Sequence, residues 1–155
     1  MSVLALDLAT TTGYAVLNAN GTIDSGSKKF GLLKADGAGV RYKNFRCWLV
    51  AMKLVHEITE IVYEQTMGHT LSSPQIYCGL VAVVQMFGEH HQIPYRSINV
   101  STVKKAFTGH GRADKAAMIA KCVSMGFKPQ DDNEADALAL LHVALDIVPQ
   151  EQSCN

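Results

Sequence analysis

Cysteine is scarce in this chain and poorly placed for structure. Cys47, Cys78, Cys122 and Cys154 lie far apart with no CxxC spacing, which argues against a zinc site and for reduced thiols in a cytoplasmic protein. Histidine offers no substitute: the six residues are scattered, and the adjacent pair His90-His91 would not share one helix face. Net charge is absent too, with 14 Lys/Arg against 14 Asp/Glu, so a whole-chain electrostatic argument for nucleic acid fails. No stretch approaches the ~20 apolar residues of a membrane span. The opening Met1-Ser2-Val3 lacks the basic region and apolar run of a signal peptide. Repeats, low-complexity runs and linkers are missing as well. One domain is therefore expected over residues 1–149, with a polar tail over 150–155. A chain of this size buries roughly 70% of its unfolded surface and needs no staple.

What is present is a series of apolar runs punctuated by turns. Residues 3–8 read as a strand apolar on both faces, hence central in a sheet. Thr10-Thr11-Thr12-Gly13 turns the chain into a second strand over 14–17, and Asn18-Ala19-Asn20-Gly21 carries a hairpin to a third over 22–30. Residues 41–57 show helical spacing, with Phe45, Trp48, Leu49, Met52 and Val55 on one side. A fourth strand spans 58–64. Beyond a loop over 68–73, Pro74 suits the first turn of a helix reaching about His91. A short strand over 94–98, a helical turn or two over 101–107, a helix over 112–125 ending at Gly126, and a last helix over about 132–148 complete the chain. An antiparallel block followed by strand–helix alternation implies an α/β protein: a five-stranded mixed sheet flanked by helices. This order is similar to that of the ribonuclease H-like fold.

Chemistry concentrates in acids at the ends of apolar elements. Asp7 ends the first strand and Glu64 the fourth. Asp131-Asp132-Asn133-Glu134-Ala135-Asp136 opens the last helix. Carboxylates in such places are costly unless paired or bound to metal. Asp131 and Glu134 fit a helix-capping pair. Asp132 and Asp136 lie at i,i+4, and Asn133 and Asp136 at i,i+3, so either neighbour shares a face with Asp136. That face continues with Leu140, Val143 and Ile147, which should pack on the sheet. The positive N-terminal end of a helix accounts for Asp132 and Glu134 but not for Asp136 in the second turn. Oxygen donors without Cys or paired His favour Mg²⁺ or Mn²⁺ over Zn²⁺. Four such groups could hold two ions about 4 Å apart, one activating a water and the other stabilising the leaving oxygen of a phosphodiester. Charge is uneven in a way that suits this. Residues 101–128 carry six Lys/Arg (Lys104, Lys105, Arg112, Lys115, Lys121, Lys128) against Asp114 alone, and residues 131–146 carry five acids and no Lys/Arg.

Three motifs together resemble RuvC-type Holliday junction resolvases, over residues 3 to about 148. They are Leu6-Asp7-Leu8-Ala9-Thr10-Thr11-Thr12-Gly13-Tyr14, then Ile61-Val62-Tyr63-Glu64-Gln65, then Glu134-Ala135-Asp136-Ala137-Leu138-Ala139. The resemblance implies a metal-dependent, structure-selective DNA endonuclease that resolves four-way junctions by paired nicks leaving 5′-phosphates. It implies Mg²⁺, with Mn²⁺ able to substitute and two ions per site, and a homodimer acting on branched DNA. The family's metal carboxylates fall on Asp7, Glu64 and Asp136, and its fourth ligand on Asn133, where Asp or His is usual. Asp132, one turn before Asp136, is the alternative. The family's DNA-contacting lysines fall on Lys104 and Lys115, the latter beside the cut phosphate, within the basic segment that also holds Lys105 and Arg112. Where the family carries an aromatic that stacks on junction bases, this chain has Met67. Compact chains of this kind also resemble phage-encoded relatives. Tyr77, Leu80, Val81, Val84 and Phe87 give the middle helix an apolar stripe that suits either a dimer face or the domain core. Rival readings are a nuclease of the same fold acting on flaps or other branched DNA, and a catalytically weak junction-binding module. A phosphate-binding ATPase would need a second domain, for which the chain has no room.

Overall fold

A computed structural model of the chain describes residues 1–66 and 74–146. Met67, the loop expected over 68–73, the end of the last helix with Ile147, and the tail with Cys154 lie outside the described residues. The elements run β1 (Val3–Asp7), β2 (Thr11–Leu17), β3 (Ile23–Lys29), α1 (Gly39–His56), β4 (Glu60–Gln65), α2 (Pro74–His91), β5 (Tyr95–Asn99), α3 (Val100–Thr108), α4 (Lys115–Ser124) and α5 (Asp132–Asp146). The helical turn or two expected over 101–107 is a full helix, α3. The strands form one mixed sheet in the order β3-β2-β1-β4-β5. β1, β2 and β3 are antiparallel neighbours, while β1, β4 and β5 run parallel. The expected five-stranded α/β sheet flanked by helices is the observed one.

β1 is central for the reason its sequence advertises: both faces are apolar and both are covered. Val3 and Ala5 join Val62 and Ile98 beneath α3, α4 and α5. Leu4 and Leu6 join Ile61 and Tyr63 beneath α1 and α2. α5 lies close on its face because it presents Ala135, Ala137 and Ala139 alongside Leu138 and Leu141, all buried. α2 buries Tyr77, Leu80, Val84 and Phe87 in the core shared with α1, so the apolar stripe expected there belongs to the domain core.

Two boundaries and one burial expectation differ in ways that single contacts explain. β2 begins at Thr11, so the turn is confined to residues 8–10; buried Thr12 holds it by donating its hydroxyl to Ala9 O at 2.8 Å. The helix expected from Arg112 begins at Lys115, because the Asp114 side chain accepts from Ala117 N at 2.8 Å and fixes the N-cap there. Arg112 is left exposed in the preceding turn. Val55, expected on the buried side of α1, is 74% exposed; the buried line of Phe45, Leu49 and Met52 continues instead to His56, whose Nδ1 lies 2.9 Å from Asn18 Oδ1. Gly126 closes α4 as anticipated: with φ +90° it lets Phe127 N reach Cys122 O at 3.1 Å.

Candidate active site

Register brings the acids together. Alternation along β1 puts Asp7 on the same face as Val3 and Ala5, and along β4 puts Glu64 with Val62. Leu6 pairs with Tyr63, so the next residues along these parallel strands, Asp7 and Glu64, stand side by side at the same end of the sheet. On the other side of Asp7 its partner in β2 is Gly13. A Cβ at Gly13 would overlap the carbonyl of Asn133 and approach Glu134 N at 3.1 Å. The bare glycine therefore lets the first turn of α5 settle over β1 and β2, which carries Asp136 towards Asp7.

The start of α5 is tied to the sheet edge as well as capped. Asp131 Oδ1 accepts from Glu134 N at 2.8 Å, as the capping expectation requires, while Glu134 reaches back to Gln130 N at 2.8 Å. The remaining carboxylate oxygens are taken by β3. Ser25 Oγ donates to Glu134 Oε1 at 2.7 Å and Ser27 Oγ to Asp131 Oδ2 at 2.5 Å. Glu134 is buried and satisfied, so these two acids are structural.

The other acids are strained electrostatically. Asp7 is raised from 3.8 to about 7, chiefly by burial and then by the charges of Asp136 and Asp132, with Lys104 and Lys115 opposing. Glu64, only 5% exposed, is raised from 4.5 to about 8 by burial, then by Asp7 and Asp136, against Lys104. Asp136 is raised to about 6, mainly by burial; Lys104 is the largest opposing charge. Asp132 behaves oppositely: its ion pair with Lys115 pulls it below the usual carboxylate range. Among the described residues no three His, Cys, Asp or Glu side chains close around a single ion position. The carboxylates form a charged group spread over one end of the sheet, within electrostatic range of one another. This donor set fits a hard divalent cation: it is all oxygen, and burial and mutual repulsion raise three of its members despite two nearby lysines.

Of the sequence-derived candidates, the structure gathers Asp7, Glu64, Asp132, Asp136, Lys104 and Lys115 in one electrostatic neighbourhood. Asn133 is beside them through its backbone, packed at Gly13. Lys105 and Arg112 are exposed and do not figure among the charges that shift these acids. Two contributors escaped the sequence reading. Gly13 had been assigned to a turn; its place opposite Asp7 is a matter of pairing register. Tyr77 had been counted as apolar surface, yet its hydroxyl donates to Glu64 O at 3.0 Å and accepts from Thr66 N at 3.4 Å, bracing the end of β4.

No family model matches the chain. Over 84 residues it is 34% identical to the crossover junction endodeoxyribonuclease RuvC of Gloeobacter violaceus. That match covers 52% of this chain and 46% of the relative, so it spans about half the length of the curated protein. Among solved structures, Thermus thermophilus RuvC superposes with a TM-score of 0.71 at 19% identity, covering 90% of each chain, and so does the same protein in complex with Holliday junction substrate. The yeast mitochondrial Holliday junction resolvase Ydc2 superposes with a TM-score of 0.60 at 11% identity, covering 89% of this chain and 75% of that one. The fold is thus that of RuvC, ribonuclease H-like, and the resemblance read from the three motifs is borne out.

Proposed function

We propose that this chain is a divalent-metal-dependent endonuclease that resolves four-way DNA junctions by paired phosphodiester nicks. The observation that carries the reading is the group of buried and partly buried, charge-frustrated carboxylates on β1, β4 and α5, flanked by lysines, within a RuvC fold. Residues 1–149 are taken as one nuclease domain; the two cores that share one sheet support this. Asp7, Glu64 and Asp136 would hold the metal, with Asp132 or Asn133 as fourth donor. When bound, Mg²⁺, for which Mn²⁺ can substitute and of which two ions serve one site, supplies Lewis-acid activation of water and stabilisation of the leaving oxygen. The chain's own residues do the rest. Half-buried Lys104 offsets carboxylate charge and faces the phosphate. Lys115, on the first turn of α4, holds Asp132 and is placed to exchange that partner for a DNA phosphate. Lys105 and Arg112 contribute more distant phosphate contacts, and Met67 is a DNA contact at the sequence position where the family carries its stacking aromatic, without that ring's stacking face.

A homodimer would place one site against each of two opposed strands. Because the Tyr77 stripe is spent in the core, the dimer face would lie elsewhere; exposed Cys78, Ala82 and Met86 follow at helical spacing on the outer side of α2. Among the described residues no helix is long and apolar enough to cross a membrane, and Cys47, Cys78 and Cys122 are free thiols, in keeping with a cytoplasmic setting.

The direct test is cleavage of a labelled four-way junction beside a flap, a linear duplex of the same arms and an RNA–DNA hybrid. Paired nicks in the junction with Mg²⁺, abolished by EDTA, are expected. Equal cutting of the linear duplex would reject junction selectivity, and no metal-dependent cutting would reject the nuclease. Tyr77→Phe is expected to lower the saturated cleavage rate about tenfold with junction affinity unchanged, since the freed end of β4 would let Glu64 shift from its place by a fraction of an ångström. A wild-type rate in Tyr77→Phe would remove the bracing role.

A further inference from the structure

The predicted phosphate contacts all lie on one flank of the carboxylates. α3 and its Lys104 follow directly from β5, the last strand of the sheet. The opposite edge is β3, and its two lysines, Lys28 and Lys29, stand at the strand's C-terminal end. Register puts that end beside the acids: Lys29 pairs with Thr11, Lys28 with Thr12, and Ser27 with Gly13, the partner of Asp7. At a strand spacing of about 4.8 Å, β3 lies about 10 Å from β1. That is the length of roughly three nucleotides at 3.4 Å of axis each. Lys29 shares the face of Ser25 and Ser27, whose hydroxyls point to α5, and Lys28 lies on the opposite face of this edge strand, so the pair flanks the edge that a crossing DNA strand would meet.

This tip is held firmly. Phe30 N donates to Thr10 O at 2.7 Å, and Arg41 Nε to Phe30 O at 2.8 Å. Lys34 follows on a turn closed by Asp36, which accepts from Leu33 N at 2.8 Å. Lys28, Lys29 and Lys34 are exposed. Among the described residues no ion pair engages them. Nearby acids are occupied: Asp36 by its turn, Asp131 by Ser27 and the helix cap. Lysines on an edge strand also deter edge-to-edge pairing. That role would not confine them to the last two positions, and the rest of β3, from Ile23 to Ser27, has none.

We infer that the site end of β3, through Lys28, Lys29 and Lys34, is a second phosphate-contact surface, so that the bound DNA strand crosses the sheet from the α3 flank over the carboxylates to the β3 edge. The inference rests on the functional reading above and adds a direction and far anchor to it. It is tested by anisotropy titrations of a fluorescent four-way junction in EDTA across a salt series. Lys28→Gln/Lys29→Gln should bind about tenfold more weakly, and its slope of log K against log salt should be shallower by about 1.8, at about 0.9 per phosphate contact. Adding Lys34→Gln should take off about 0.9 more. Lys28→Arg/Lys29→Arg should keep the wild-type slope. A wild-type slope in the Gln variant, with an unchanged melting curve, overturns the inference alone. A wild-type protein that binds no junction overturns the functional reading and this inference with it.

Discussion

Asp7→Asn is expected to abolish junction cleavage while making the metal-free protein more stable. The two effects share one cause. Burial and the charges of Asp136 and Asp132 raise Asp7 from 3.8 to about 7, so its ionised form is disfavoured in the folded state. A carboxylate raised on folding leaves stability intact below its unfolded pKa and erodes it as pH climbs towards the folded value. The penalty therefore grows from about pH 4 to about pH 7. Glu64, raised from 4.5 to about 8, extends the window by about one unit. Asparagine at position 7 removes the charge and keeps the shape. At 1.36 kcal/mol per unit the Asp7 shift sets a ceiling of about 4 kcal/mol. Partial exposure and screening bring the expectation to on the order of 2 kcal/mol, or about 4–8 °C for a domain of this size. Melting curves in EDTA should show this advantage widening from pH 5 to pH 7. Mg²⁺ should raise the wild-type midpoint at pH 8 far more than that of the variant. Cleavage should fall more than about 10³-fold, beyond the 10²–10³ that loss of a single electrostatic contact costs, with junction binding retained. Full cleavage by Asp7→Asn in Mg²⁺ would sink the site assignment. A variant no more stable than wild type at pH 7 would show that the carboxylates are not frustrated.

Gly13→Ala should be nearly as damaging to activity although it adds only a methyl group to a residue with no reactive side chain. That methyl would overlap the carbonyl of Asn133, a backbone group in the first turn of a buried helix that cannot rotate aside. Relief requires α5 to lift from β1 and β2, breaking the Ser25–Glu134 and Ser27–Asp131 hydrogen bonds. Overpacking of this kind costs about 1–3 kcal/mol, and the melting point should fall by about 2–12 °C. Displacing Asp136 by about 1 Å is expected to cost about 10² in rate. Gly37→Ala is the control, since a Cβ there meets nothing within 4 Å, and it should change neither quantity. If Gly13→Ala melts and cleaves like wild type, α5 is not seated by this glycine.

The element pattern was readable along the chain because each element carries a local signature. β1 is apolar on both faces, Pro74 opens α2, and Asp131 and Glu134 cap α5. The misread boundaries were settled by contacts of single side chains. Asp114 moved the start of α4 by capturing Ala117 N, and Thr12 shortened the turn after β1 by bonding to Ala9 O. The candidate acids stood out by the same local logic, as charged residues ending apolar runs.

What the sequence by itself determined is therefore the list of elements, the α/β class and the residues able to do chemistry. Periodicity, caps and isolated charges are properties of neighbouring residues. What only the tertiary structure decided is which of these residues meet and how they feel one another. Gly13 opposite Asp7, Tyr77 under Glu64, Lys115 on Asp132 and the lysines of β3 level with the site all depend on strand register and helix docking. The raised carboxylates depend on them too, because desolvation and repulsion arise only when residues more than a hundred positions apart are packed at one end of one sheet.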